Sequence, residues 1–217
     1  MTTETPRRPL RSRQTRWAAV LAGWLTRAGV SPNAISGASV VFAALAGLCL
    51  LGAAGGPPGR RIALLLAAAA AIQLRLLCNL LDGMVAIEGG RKTKSGEVWN
   101  DMPDRLADAL VFVPAGYGVS GVPWGPGLGW TAGLLAVLTA YVRVLGGALG
   151  LAQDFGGPMA KQHRMAVMTA ASVLAAAEAA LGLSGRVIGV ALAVVVVGCA
   201  VTVVRRTARL VRALEAR

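Results

Sequence analysis

A chain of 217 residues that is 55% hydrophobic, with a mean hydropathy of +0.62, is too apolar for an ordinary water-soluble domain. Several of its runs approach the roughly 20 apolar residues that a membrane-crossing helix needs. The net charge of +12 does not point to nucleic acid, because the arginines gather at the chain ends and between apolar runs, where anionic lipid headgroups are the matching counter-charge.

Residues 1–12 are polar and Arg-rich and read as a disordered cytoplasmic tail. They lead into no clean apolar stretch with a small-residue cleavage site, so no cleavable signal peptide is expected. Over 13–28, Trp17, Val20, Leu21, Trp24 and Leu25 follow helical spacing with Arg13, Arg16 and Arg27 beside them, which predicts an amphipathic helix lying in the membrane interface. Ser31 and Pro32 supply an N-cap and a proline at the first helical position. Six spans are then expected at about 34–54, 61–87, 103–117, 128–149, 165–182 and 186–204, followed by a basic helix. The fold expectation is all-α, a polytopic membrane protein. Its parts are a tail and interfacial helix (1–30), a six-helix transmembrane catalytic domain (31–204) and a basic cytoplasmic tail (205–217). Cys49, Cys78 and Cys199 fall inside apolar runs without zinc or disulfide spacing and read as small buried hydrophobes.

Lys and Arg set the orientation. With the N-terminus inside, sixteen basic residues fall on the cytoplasmic side and only Arg60, Arg61 and Arg186 outside. Both termini are therefore expected in the cytoplasm, with the chain integral to the cell's inner or plasma membrane.

Against this apolar background, six of the ten acidic residues lie between Asp82 and Asp108. Carboxylates at membrane depth are expensive unless they bind an ion or a partner, so this cluster is the candidate site. A helix turning about 100° per residue puts Arg75, Asn79, Asp82 and Ala86 on one stripe. Asn100, Asp104 and Asp108 form a second stripe, with Asp101 one step around. Two helix ends thus present oxygen ligands across a short loop. Oxygen donors suit hard cations such as Mg²⁺ or Mn²⁺, which in turn suit phosphates. Gly83 and Gly96 would allow close approach to the backbone.

These residues resemble the CDP-alcohol phosphotransferase signature, in which Asp, Asp-Gly, Ala-Arg, Gly, Asp and Asp recur at fixed intervals. Asn79, Asp82-Gly83, Ala86, Gly96, Asn100 and Asp104 match that spacing throughout. The chain departs from it at Asn79 and Asn100, where the family has its first and third aspartates, and at Ile87, where it has arginine. The resemblance implies a homodimeric enzyme of phospholipid biosynthesis that displaces CMP from a CDP-linked lipid, CDP-diacylglycerol above all, with an alcohol acceptor. It implies Asp104 as the base that deprotonates the acceptor. Asp82, with Asn79 and Asn100 through their amide oxygens, would hold metal, Asp101 and Asp108 would restore part of the missing charge, and Gly83, Ala86 and Gly96 would lie at the CDP.

Arg75, Arg143, Lys161, His163 and Arg164 are further candidates for donor or acceptor phosphate. Equally, Arg75 would serve as an ion-pair partner of Asp82 or Asp108, and Lys161 to Arg164 as ordinary positive-inside charge. Two rival functions are a non-catalytic relative that binds a nucleotide-lipid or a partner, motivated by the two asparagines, and a small transporter. Against the transporter, the acids lie at helix ends and no inverted repeat is visible.

Overall fold

A computed structural model describes residues 15–88, 90, 95–119, 122–183 and 185–217. The N-terminal tail through residue 14 and the basic residues at 91–94 lie outside the described residues. Seven helices follow in order: α1 (Arg16–Arg27), α2 (Pro32–Gly52), α3 (Pro58–Glu88), α4 (Gly96–Tyr117), α5 (Gly125–Ala148), α6 (Lys161–Ala180) and α7 (Val187–Glu215). Four of them, α2, α3, α5 and α7, are long and apolar enough to cross a membrane, which makes the chain an integral membrane protein. At 22 and 20 residues, α4 and α6 are of similar length. Their first turns, however, carry the acidic cluster of α4 and Lys161, His163 and Arg164 of α6.

Local signals set the starts. The Ser31 hydroxyl accepts a hydrogen bond from the Ala34 amide at 3.2 Å, with Pro32 opening α2. The expected third span begins earlier than its proline suggested. Pro103 and Pro114 both lie inside α4, which starts at Gly96 with Ser95 O accepting from the Val98 and Trp99 amides. A proline removes one rung of the helical ladder, and here the remaining bonds carry the helix through it. At the other end, α7 runs unbroken past residue 204 to Glu215, so the basic C-terminal segment continues the last apolar helix.

The helices pack as a bundle in which α2 contacts α3 and α4, α5 lies between α4 and α7, and α3 meets α6. The core is built of small residues, among them Ala43, Ala46, Ala68, Ala107, Ala132 and Ala136, around Phe112, Val111, Met165 and Leu192. Small residues let backbones approach, the usual mode of helix association in membranes. The approach is closest around α4. A Cβ on Gly47 of α2 would lie 2.0 Å from the Leu110 carbonyl oxygen, and one on Gly129 of α5 would lie 2.6 Å from that of Phe112.

The first helix seats Ala18 and Ala22 against the end of α3, on Leu80, Leu81, Met84 and Val85, with Leu21 and Leu25 partly buried beside them. Trp17, Val20 and Trp24 are left more than half exposed. The apolar residues of α1 are thus divided between contact with α3 and an uncovered aromatic edge.

Candidate active site

The acids collect where the end of α3 meets the start of α4. Arg75, Asp82, Asp104 and Asp108 are all buried, whereas Asn79 and Asn100 on the same two stripes are not. Asp82 is 4% exposed. Its Oδ2 accepts a hydrogen bond from the Ser36 hydroxyl of α2 at 2.7 Å and its Oδ1 accepts from the Gly83 amide at 2.5 Å. Asn79, three residues earlier and half-buried, has no hydrogen bond at its buried Nδ2. Asn100 is exposed on the first turns of α4, Gly96 is the first residue of that helix, and Gly83 and Ala86 are half-buried along α3.

Asp104 is drawn on from several sides. The Lys161 ammonium, on the first residue of α6, donates to Oδ2. Arg105 Nη2 lies 3.7 Å from the same oxygen, and Arg75 Nη2 lies 3.7 Å from Oδ1. Oδ1 itself is buried and accepts no hydrogen bond. Asp82 is within Coulombic reach of both Lys161 and Asp104.

Asp108 has both oxygens engaged: Oδ1 accepts from Arg75 Nη2 at 2.9 Å and Oδ2 from Arg164 Nη2 at 2.7 Å. Of the two partners foreseen for Arg75, Asp108 is the one observed. Arg164 also donates from Nη1 to Thr139 Oγ1 at 3.0 Å and to the Met159 carbonyl at 3.1 Å. Nearer the surface, Asp101 is bound by Arg143 of α5 and by Arg105 at 3.4 Å. The expected residues Asp101, Asp104, Asp108, Arg143, Lys161 and Arg164 therefore form one ionic network. His163 stands apart, its Nδ1 2.9 Å from the Pro158 carbonyl oxygen on an exposed edge.

Beside this network, α5, the 149–160 connection and α7 enclose a cleft of about 310 Å³, whose polar lining comes from Arg143, Asp154, Arg206 and Arg209. Arg206 is 5% exposed and donates to the Thr139 and Gly156 carbonyls at 2.6 and 2.8 Å. Arg209 Nε reaches Asp154 Oδ2 at 2.7 Å, and the Arg143 guanidinium lies 5.2 Å from the centre of the Phe155 ring. A cavity of this size with three guanidinium groups and one carboxylate suits a small, multiply charged anion.

Sequence reasoning missed Ser36, Arg105, Thr139 and Arg206. Arg105 was within reach of it, since it follows Asp104 and sits four residues after Asp101 on the same helix. Nothing marked Ser36, which meets Asp82 across 46 residues of chain. Arg206 was counted as positive-inside charge in a tail.

A hard divalent cation fits the residues at the helix ends. Asp82, Asn79 and Asn100 offer only oxygen donors, and with its Nδ2 unpaired the Asn79 amide is free to turn its oxygen toward an ion.

No family model matches the chain. Among curated proteins it is similar to a phosphatidylinositol phosphate synthase of Mycobacteroides abscessus, 28% identical over 163 residues, which is 70% of this chain and 66% of that protein's length. Among solved structures it is similar to the Mycobacterium tuberculosis phosphatidylinositol phosphate synthase with CDP-DAG bound, at TM-score 0.71 and 20% identity over 90% of this chain and 94% of that one. The same enzyme in complex with manganese and citrate superposes at TM-score 0.73 and 20% identity, over 89% of this chain and 88% of that one.

Proposed function

We infer that this chain is a CDP-alcohol phosphotransferase, which displaces CMP from a CDP-linked lipid, CDP-diacylglycerol above all, with an alcohol acceptor in phospholipid biosynthesis. The observation that carries the reading is the placement of the signature residues. Asp82 and Asp104, far from solvent in an apolar bundle, come to the same helix ends, in a chain whose fold is that of structures bearing CDP-DAG in one case and manganese in another.

In the reaction the acceptor hydroxyl oxygen attacks the lipid-side phosphorus of the diphosphate, the phosphoanhydride bond breaks, and CMP leaves. The hydroxyl proton passes to the Asp104 carboxylate. Lys161 holds that carboxylate in place through its Oδ2. Asp82, Asn79 and Asn100 would hold a divalent cation, Mn²⁺ or Mg²⁺, which when bound would neutralise charge on the diphosphate and the departing CMP. Gly83, Ala86 and Gly96 flank the space for the nucleotide. Asp101 and Asp108 serve as ion-pair partners that set the cations Arg143, Arg75 and Arg164.

The cleft with Arg143, Arg206 and Arg209 makes a phosphorylated polyol the best acceptor, because a phosphate dianion matches several guanidinium forks where a bare alcohol matches none. An inositol phosphate is the first candidate, in keeping with the names of the relatives.

The rest of the reading completes the enzyme in its membrane. α4 and α6 cross together with the four more apolar helices to make six spans, and α1 lies in the interface with Trp17 and Trp24 toward lipid. The active site and both termini face the cytoplasm, and two copies form a homodimer.

The deciding experiment is CMP release by purified protein in detergent, supplied with CDP-diacylglycerol, Mn²⁺ or Mg²⁺, and paired acceptors with and without a phosphate. Metal-dependent release that requires the phosphorylated acceptor establishes the reaction and its acceptor class. Bound CDP-lipid without release from any acceptor would instead make the protein a non-catalytic binder, the reading that the two asparagines favour.

A further inference from the structure

We propose that this site takes a single divalent cation and that the Lys161 ammonium, seated on Asp104, supplies the second positive charge facing the donor diphosphate; the proposal rests on the transferase reading above.

The donors set the first half of the argument. With carboxamides at 79 and 100, the carboxylates of the signature positions are Asp82 and Asp104 alone, and with Asp104 taken by Lys161 only Asp82 is left to face a divalent ion, enough for one whose remaining ligands include substrate phosphate and too little for two. Among the described residues, no three carboxylate, imidazole or thiolate side chains group to hold a metal. Asp101 and Asp108 do not make up the shortfall, because each is already bound by two guanidinium groups.

The second half lies in the cations. Three acids, Asp101, Asp104 and Asp108, pair with five bases, Arg75, Arg105, Arg143, Lys161 and Arg164, so even with Asp82 beside them these side chains carry more positive than negative charge before any ion enters. A second divalent ion would have to settle beside the ammonium that Asp104 holds, in a low dielectric where like charges repel strongly. Four of the five bases are guanidinium groups. Lys161 is the one compact ammonium, a point charge on a flexible stem and the side chain nearest in character to a small cation. Its side chain is a quarter exposed, against 9% for that of Asp104, so it reaches the carboxylate from the open side of the site. Neutral residues at two ligand positions and an ammonium on Asp104 are complementary features: charge is withdrawn from the ligands and positive charge is supplied as a built-in cation.

The test is a Mn²⁺ titration of the full chain in detergent, read by the electron paramagnetic resonance signal of free Mn²⁺ with and without CDP-diacylglycerol, alongside CMP release. One bound Mn²⁺ per chain is expected. Removing the ammonium in Lys161→Met should tighten Mn²⁺ binding about tenfold, since a like charge has gone, while CMP release falls. Those opposite signs separate a built-in cation from a simple phosphate clamp, whose loss leaves Mn²⁺ affinity unchanged. Lys161→Arg keeps the charge and controls for folding: its Mn²⁺ affinity should match wild type. Combining Lys161→Met with Asn79→Asp and Asn100→Asp should admit a second Mn²⁺. Two Mn²⁺ bound to the wild-type chain, none at all, or an unchanged affinity in Lys161→Met each overturns the proposal, whatever the CMP assay gives. One Mn²⁺ with the expected Lys161→Met shift but no CMP release from any acceptor would sink the transferase reading and leave the single-ion site standing.

Discussion

Asp104 has one oxygen on the Lys161 ammonium and the other buried without a hydrogen bond, and it is the signature carboxylate that the proposed mechanism uses as proton acceptor. Asp104→Asn removes the acceptor while keeping the shape. Its kcat for CMP release should fall about 100- to 10,000-fold with CDP-lipid binding retained. Undiminished turnover would take the proton-accepting role away from Asp104. Ser36 acts at one remove, by fixing the rotamer of Asp82 through its 2.7 Å hydrogen bond. Ser36→Ala should weaken Mn²⁺ binding by about tenfold, the usual consequence of losing a residue that orients a ligand, whereas an unchanged titration would show that Asp82 needs no such support. Asp108 is a different case, because its charge faces Arg75 and Arg164. Asp108→Asn takes from two buried guanidinium groups the carboxylate charge they share and should cost about 3–5 kcal/mol of stability, visible as a lowered midpoint of thermal unfolding in detergent.

At the scale of the helix, the residues that sequence reading located best are those whose neighbours are local. Arg75, Asn79, Asp82 and Ala86 share a stripe because the helix repeats every three to four residues, and Asp104 and Asp108 do so for the same reason. What it could not reach were contacts made across the bundle. Ser36 on Asp82 depends on how α2 and α3 are docked, and the burial of Arg206 depends on carbonyls of α5 and of the 149–160 connection. The start of α4 was misplaced because a proline usually marks a boundary, and here the ladder continues through it. Helix docking is itself testable at Gly47. Gly47→Ala drives a methyl group into the Leu110 carbonyl, and α4 must shift away from α2. The expected loss is about 1–3 kcal/mol of stability together with reduced CMP release, since α4 carries Asp104. Gly37, with open space around its Cβ position, is the control that should tolerate the same change.

For the whole molecule, the distribution of charge decides which way the site faces. On the proposed topology the sixteen basic residues share one side with Lys161 and the C-terminal end of α7, which the positive-inside rule assigns to the cytoplasm. In sealed right-side-out vesicles, a cysteine placed at Gly56 in an otherwise cysteine-free chain should be labelled by a membrane-impermeant maleimide, and one placed at Arg217 only after lysis. The reverse pattern would invert the topology and move the site to the opposite face. The close backbone contacts around α4 have a mechanical meaning as well. With carbonyls of Leu110 and Phe112 lodged against Gly47 and Gly129, α4 cannot slide without collision, so its acids form a stationary anvil. The adjustable parts are the long cationic side chains that meet it, Lys161 from α6 and Arg143 from α5. Accommodation of a substrate then falls to rotamer changes on the basic side of the site, a hammer of flexible arms working against a fixed block.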